Sequence, residues 1–148
     1  MLDHLQTLLN SVSLVLVPTQ PRVLVIDDDE IVRDVMCELL REKGREVFDV
    51  GSPIGVTRLI GVHKVDVIVL DIMMPDISGD KLAKLLRSNP KLAQLAIVLV
   101  SGADLNALEQ IAAEVKADAV VSKSHIHREL TNSVFNVHHR KMLSASKK

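Results

Sequence analysis

Five short apolar runs punctuate the chain, and most of them stop on polar residues before a stretch of helical periodicity begins. Val23–Ile26 runs into Asp27, Asp28 and Asp29; Val65–Leu70 runs into Asp71; Leu95–Val100 runs into Ser101; and Ala119–Val121 runs into Ser122 and Lys123. A weaker run lies over Glu46–Val50. Aliphatic and β-branched runs with little alternation mark strands covered on both faces of a parallel sheet. Between them, Glu30–Lys43 places Ile31, Val32, Val35, Met36, Leu39 and Leu40 on one helical face and ends at Gly44. Ser52-Pro53 predicts a cap and first turn for a helix to about Lys64. Asp80–Ser88 predicts a short helix with Leu82, Leu85 and Leu86 inward, and Asp104–Lys116 one carrying Leu105, Leu108, Ile111, Ala112 and Val115. A last helix is predicted from about Ile126 to His139. Strands alternating with helices at this spacing predict an α/β fold, a parallel sheet with helices on both faces.

The chain ends add little chemistry. Residues 1–20 predict a helix with Leu2, Leu5, Leu8, Leu9 and Val12 on one side, then an extended linker through Leu14–Val17 to Pro18. This extension reads as a packing element or a homodimer contact, since an exposed leucine stripe calls for a partner. The main domain is expected over 21–141. Residues 142–148 are expected to form a basic tail, and with Arg140 and Lys141 the charges at this end are all basic.

Composition narrows the partner classes. Only 1% of residues are aromatic, Phe48 and Phe135 being the only rings, and the net charge is -1. Surfaces that bind single-stranded nucleic acid stack bases on several aromatics beside a basic groove, so direct nucleic acid binding is not expected. The lone Cys37, set among Val35, Met36, Leu39 and Leu40, predicts a buried helical thiol and a reducing compartment. No apolar run has membrane-spanning length and no Lys or Arg precedes the first apolar residues, so a cytoplasmic protein is expected.

A parallel sheet brings all the polar strand ends to one edge, where ligands bind in open α/β folds. Asp27, Asp28 and Asp71 gathered there repel one another by about 1–4 kcal/mol per pair, depending on the local dielectric. Lys123 offsets one charge, and a hard divalent cation with oxygen ligands, Mg²⁺, offsets two more. Such a site can receive a phosphoryl group: cations shield the incoming oxygens, Ser101 donates a hydrogen bond and a carboxylate acts as nucleophile.

The segments VLVIDDDE, VIVLDIMMPDISG, IVLVSGA and VVSKS, in this order and spacing, resemble the receiver domain of two-component response regulators over about residues 22–141. The resemblance implies a flavodoxin-like (βα)₅ doubly wound sheet of strand order 2-1-3-4-5. It implies Asp71 as the aspartate that takes phosphate from a histidine kinase or histidine phosphotransfer protein, with Asp28 and Asp71 as direct Mg²⁺ ligands. Asp27 would act through water and Met73 through its backbone carbonyl. Ser101 would hold a phosphoryl oxygen, and Lys123 would pair with Asp71 and then with the phosphoryl group. A stand-alone switch or relay intermediate is expected, since nothing after residue 141 could fold as an output domain. Its protein partner would read the face of the fourth helix, fifth strand and fifth helix.

Two positions depart from the family pattern. Ser124 follows Lys123 where proline is common, so a trans bond is expected. Val120 stands where an aromatic often serves as a rotameric switch. These departures leave room for a receiver-like interaction module that is never phosphorylated. A haloacid dehalogenase-like phosphatase, with Asp27-x-Asp29 as its acidic pair, is a further alternative that lacks the later acidic motif. Asp29 matches no ligand position and reads as a helix-start acid. His125, His127, His138 and His139 read as solvated surface, because His-x-His on a helix converges poorly on a metal.

Overall fold

Strand alternation divides the core of this computed structural model, which describes residues 3–8, 20–75 and 77–146. Val23, Val25, Val67, Val69, Ala96, Val98 and Val100 point to one face of the sheet; Leu24, Ile26, Ile68, Leu70, Ile97 and Leu99 point to the other. The five strands β1 (Val23–Ile26), β2 (Val47–Val50), β3 (Val67–Asp71), β4 (Ala96–Ser101) and β5 (Ala119–Ser122) are all parallel, in the order 2-1-3-4-5. The five main helices are α1 (Glu30–Arg41), α2 (Val56–His63), α3 (Gly79–Arg87), α4 (Leu105–Val115) and α5 (Ile126–Ser146).

The valine face is covered by α1 and α5 through Met36, Cys37, Leu40, Leu130, Val134 and Val137. The Leu/Ile face is covered by α2, α3 and α4. Each fully buried Leu or Ile contributes about 1.5–3 kcal/mol, so these two layers supply most of the drive to fold. Cys37 is buried as expected, and burial is the main reason its thiol is pushed up to about 11, which leaves it unreactive at neutral pH.

The helices differ from expectation at their ends. Ile31, assigned to the inner face of α1, is 77% exposed, because the first turn of α1 rises above the sheet beside the strand ends. Leu85 is 61% exposed and Ala83 takes the inward place in α3. Leu105 is exposed as well, and Leu108 makes the first buried contact of α4. Ser52 does not cap α2: its Oγ accepts the Ile54 N–H at 3.2 Å, and Gly55, at φ +79°, delays the helix to Val56. A left-handed residue such as this interrupts helical hydrogen bonding, and glycine adopts it at little cost.

α5 passes the expected stop at His139 and runs to Ser146, without a break near residue 141. Arg140 donates to the Asp118 carbonyl at 3.2 Å, while Lys141 lies 3.2 Å from the Asp118 carboxylate. These two bases therefore tie the last turns of the helix to Asp118. Asp118 also accepts from Arg87 and from the Ile97 N–H. Residues 3–8 are helical with Leu5 and Leu8 exposed. The Leu14–Val17 run, Pro18, Leu2, Leu9, Val12, Lys147 and Lys148 lie outside the described residues. Among the described residues no helix is long and apolar enough to cross a membrane.

Candidate functional site

Ile26 on β1 pairs with Leu70 on β3 in parallel register. The next residue of each strand, Asp27 and Asp71, therefore stands beside the other about 4.8 Å away, the spacing of adjacent strands. Both carboxylates are buried, Asp71 with 1% exposure, whereas Asp28 is exposed at the rim. A 3₁₀ turn over Lys123–His125 follows β5, and Lys123 Nζ reaches to 3.3 Å from Asp27 Oδ2 and 3.4 Å from Asp71 Oδ2. The other two oxygens accept backbone bonds: Asp27 Oδ1 from Asp29 N–H at 2.9 Å, and Asp71 Oδ1 from Met73 N–H at 3.1 Å.

Burial is the main cause of a raised Asp71 pKa. The Met73 N–H pulls it back, the neighbouring Asp27 charge pushes it up and Lys123 lowers it, leaving the carboxyl at about 6. Burial alone would lower the Lys123 pKa, but the Asp71 and Asp27 charges outweigh it and the net direction is upward. Two carboxylates thus share one cation, which is the imbalance expected of a cation and anion site.

One carboxylate oxygen from each of Asp27, Asp28 and Asp71 lies within 4.8 Å of the others, the one such group among the described residues. Asp27 Oδ2 is buried, faces Lys123 and makes no hydrogen bond. Hard anionic oxygens at this spacing, outnumbering the one Lys123 cation beside them, fit a divalent ion such as Mg²⁺. Ser101 ends β4 one step beyond Val100, the register partner of Asp71, and is fully buried. Its Oγ accepts the Ala103 N–H at 3.0 Å.

The loop after Asp71 is held closely to the strand. Gly79 N–H donates to the Ile72 carbonyl at 3.0 Å. A Cβ on Gly79 would strike the Asp71 carbonyl oxygen and come within 2.8 Å of Ile72 Cα, so only glycine fits. Asp29 caps α1 by accepting from the N–H groups of Ile31 and Val32. That use of its carboxylate leaves Asp27-x-Asp29 without the catalytic pair a phosphatase reading requires. The Lys123–Ser124 peptide is trans, like every other peptide among the described residues.

Two features were not legible in the sequence. Arg33, in the first turns of α1, donates to the Asp27 carbonyl at 2.7 Å. A basic residue one helical turn past an acidic strand end is the only hint the sequence carries of this contact. Ile31 on α1, Ile54 in the loop after β2 and Met73 in the loop after β3 are exposed at the strand-end side of the fold, where apolar periodicity had put Ile31 in the core.

The family model described as the response regulator receiver domain matches residues 23–135. Among curated relatives, the aerobic respiration control protein ArcA of Escherichia coli K12 is 25% identical over 122 residues, covering 82% of this chain and 50% of that protein. The sensory transduction protein RegX3 of Mycolicibacterium smegmatis is 30% identical over 108 residues, covering 73% of this chain and 46% of that protein. The chain thus spans about half the length of the curated relatives it matches. Among solved structures, a CheY-like receiver domain protein from Methanospirillum hungatei superposes with a TM-score of 0.75 at 20% identity, over 85% of this chain and 99% of the other. The receiver domain of the Francisella response regulator 1452 gives a TM-score of 0.73 at 26% identity, over 82% of this chain and 98% of the other.

Proposed function

The chain belongs to the response-regulator receiver domain family, and from that premise we propose that Asp71 takes a phosphoryl group from a histidine kinase or a histidine phosphotransfer protein. The observation that carries this reading is the buried Asp71 carboxylate, held between Lys123 and the Met73 N–H with Asp27 and Asp28 alongside. An oxygen of Asp71 attacks phosphorus, the P–N bond to the donor imidazole breaks, and the imidazole leaves with the bonding electrons and takes up a proton. The product is an acyl phosphate. Lys123 moves from pairing two carboxylates to offsetting the phosphoryl oxygens. Ser101 is placed to turn its hydroxyl from Ala103 toward a phosphoryl oxygen and donate to it.

Asp28, Asp71 and the Met73 carbonyl, with Asp27 acting through water, would hold Mg²⁺, which when bound supplies positive charge to the phosphoryl oxygens. The exposed Ile31, Ile54 and Met73 offer apolar contacts to an approaching donor. Output is through a protein partner on the face of α4, β5 and α5. The half-buried Val120 pairs in register with Leu99 and has no ring to swing, so movement of Ser101 and its loop carries the signal. The domain acts as a phosphoacceptor switch or a relay intermediate in the cytoplasm, not as a turnover enzyme.

Val120 and Ser124 favour a second reading, a receiver-fold interaction module that never carries phosphate. Mg²⁺ with beryllofluoride, a phosphoryl mimic, separates the two. The first reading expects saturable binding, amide shifts at Asp71, Ser101 and Val120, and any linked dimerisation visible by sedimentation. Unchanged amide spectra at saturating mimic would favour the second.

A further inference from the structure

We propose that Arg33 is a positioning residue for the acidic pocket, fixing the Asp27–Asp28 peptide so that the Asp28 carboxylate faces the Asp71 side of the rim. The inference rests on the reading of that pocket as an Mg²⁺-dependent phosphoacceptor site. Arg33 Nη1 donates to the carbonyl of Asp27 at 2.7 Å, and its Nε donates to Asp49 Oδ2 at 2.9 Å. That carbonyl belongs to the peptide joining the buried acid to the exposed one, so its direction sets where Asp28 points. The guanidinium is a rigid planar fork, and bonds from both of its sides fix the peptide in orientation as well as distance. Asp49 sits on β2, whose Val50 carbonyl also accepts the Asp27 N–H at 3.2 Å. Asp27 is thereby braced on both of its peptides by the neighbouring strand and by α1.

Two further observations show that the contact is built into the local structure. The Arg33 side chain is only 16% exposed, and its ion pair among the described residues is with Asp49, not with the pocket carboxylates. Its charge is therefore balanced outside the pocket, and what it gives the pocket is a hydrogen bond to the backbone. Gly51 leaves the space beside the guanidinium open: a Cβ there would lie 2.9 Å from Nη1.

The test uses the sign of the effect on cation binding. A cation near the pocket repels Mg²⁺, so by Coulomb's law alone Arg33→Gln should tighten Mg²⁺ binding. A positioning role predicts the opposite, about tenfold weaker binding, the usual loss when a group orienting a ligand is removed. Mg²⁺ affinity is read by amide NMR titration of the full chain, with thermal unfolding measured alongside. Arg33→Lys keeps the charge and one donor but loses the fork, and an intermediate weakening is expected. Asp49→Asn should lower thermal stability as Arg33→Gln does, yet weaken Mg²⁺ less, because the Nη1 bond to Asp27 survives. In the metal-free protein, Arg33→Gln should also speed hydrogen exchange of the Asp29 amide, which bonds the Asp27 carboxylate. Unchanged or tighter Mg²⁺ binding in Arg33→Gln overturns the proposal. A wild type that binds no Mg²⁺ overturns the phosphoacceptor reading instead, and the Asp29 exchange rate then still decides whether Arg33 positions the peptide.

Discussion

Asp71→Asn is expected to stabilise the metal-free protein at pH 7 by roughly 3 kcal/mol, the largest gain any single substitution in the pocket should give. Asp71 titrates at about 6 in the folded chain against 3.8 in the reference state. Between those values the folded protein binds the proton that the unfolded chain has released, so stability falls as pH rises through the window. The penalty is absent below about pH 4 and complete above about pH 6, and a gap of this width corresponds to about 3 kcal/mol. Asparagine keeps an acceptor for the Met73 N–H and carries no charge. Urea unfolding of both proteins should show equal stability near pH 4 and the full difference at pH 7, with added Mg²⁺ narrowing the gap by stabilising wild type alone. Equal stability at both pH values would contradict the strained state assigned to Asp71.

The opposite change is expected at Lys123. Lys123→Met removes the cation shared by Asp27 and Asp71, which lie buried beside each other. Breaking a buried ion pair from one side commonly costs about 3–5 kcal/mol. The loss here should sit at the low end, about 3 kcal/mol at pH 7, because Lys123 is partly exposed and the carboxylates can escape by taking up one proton. It should shrink as pH falls below about 6, where Asp71 takes up a proton and one of the two charges facing Lys123 is lost. In the double variant Asp71→Asn with Lys123→Met, the cost should be smaller than that of Lys123→Met alone, since one of the repelling charges is gone. Denaturant titrations of the four proteins measure this directly.

The two predictions depend on residues at strand ends, and such ends are visible in the sequence for a simple reason. A buried parallel strand is a nearly continuous apolar run, so its end is visible as the first polar residue: Asp27, Asp71, Ser101 and Lys123 each fall at or just beyond such an end. The sheet order 2-1-3-4-5 is implied by the resemblance to receiver domains, and the structure has it. What the sequence concealed was of a different kind. Ile31 and Leu85 lie on apolar helical stripes, yet they face solvent, because a helix that overhangs the sheet has nothing to pack against in its first turn or on its outer flank. Helical periodicity registers the side of the helix and not what stands opposite.

Backbone contacts were equally hidden. Arg33 binds a carbonyl, which every residue possesses, so no pairing of side-chain types reveals it. Near the end of α5, Asp118, more than twenty residues upstream, accepts from Arg140 and offsets Lys141. In the sequence alone, those bases looked like the start of a charged tail. Gly79 was legible as a loop marker, but the reason it must be glycine, the Asp71 carbonyl lying where a Cβ would be, is a matter of tertiary geometry.

The most direct measurement is the intact mass of the protein after incubation with Mg²⁺ and acetyl phosphate, followed by borohydride trapping and peptide mapping. A phosphoacceptor at Asp71 predicts one phosphoryl addition to wild type, mapped to the peptide containing Asp71 and absent from Asp71→Asn. An addition that persists in Asp71→Asn, or none in a wild type saturated with Mg²⁺, would contradict it.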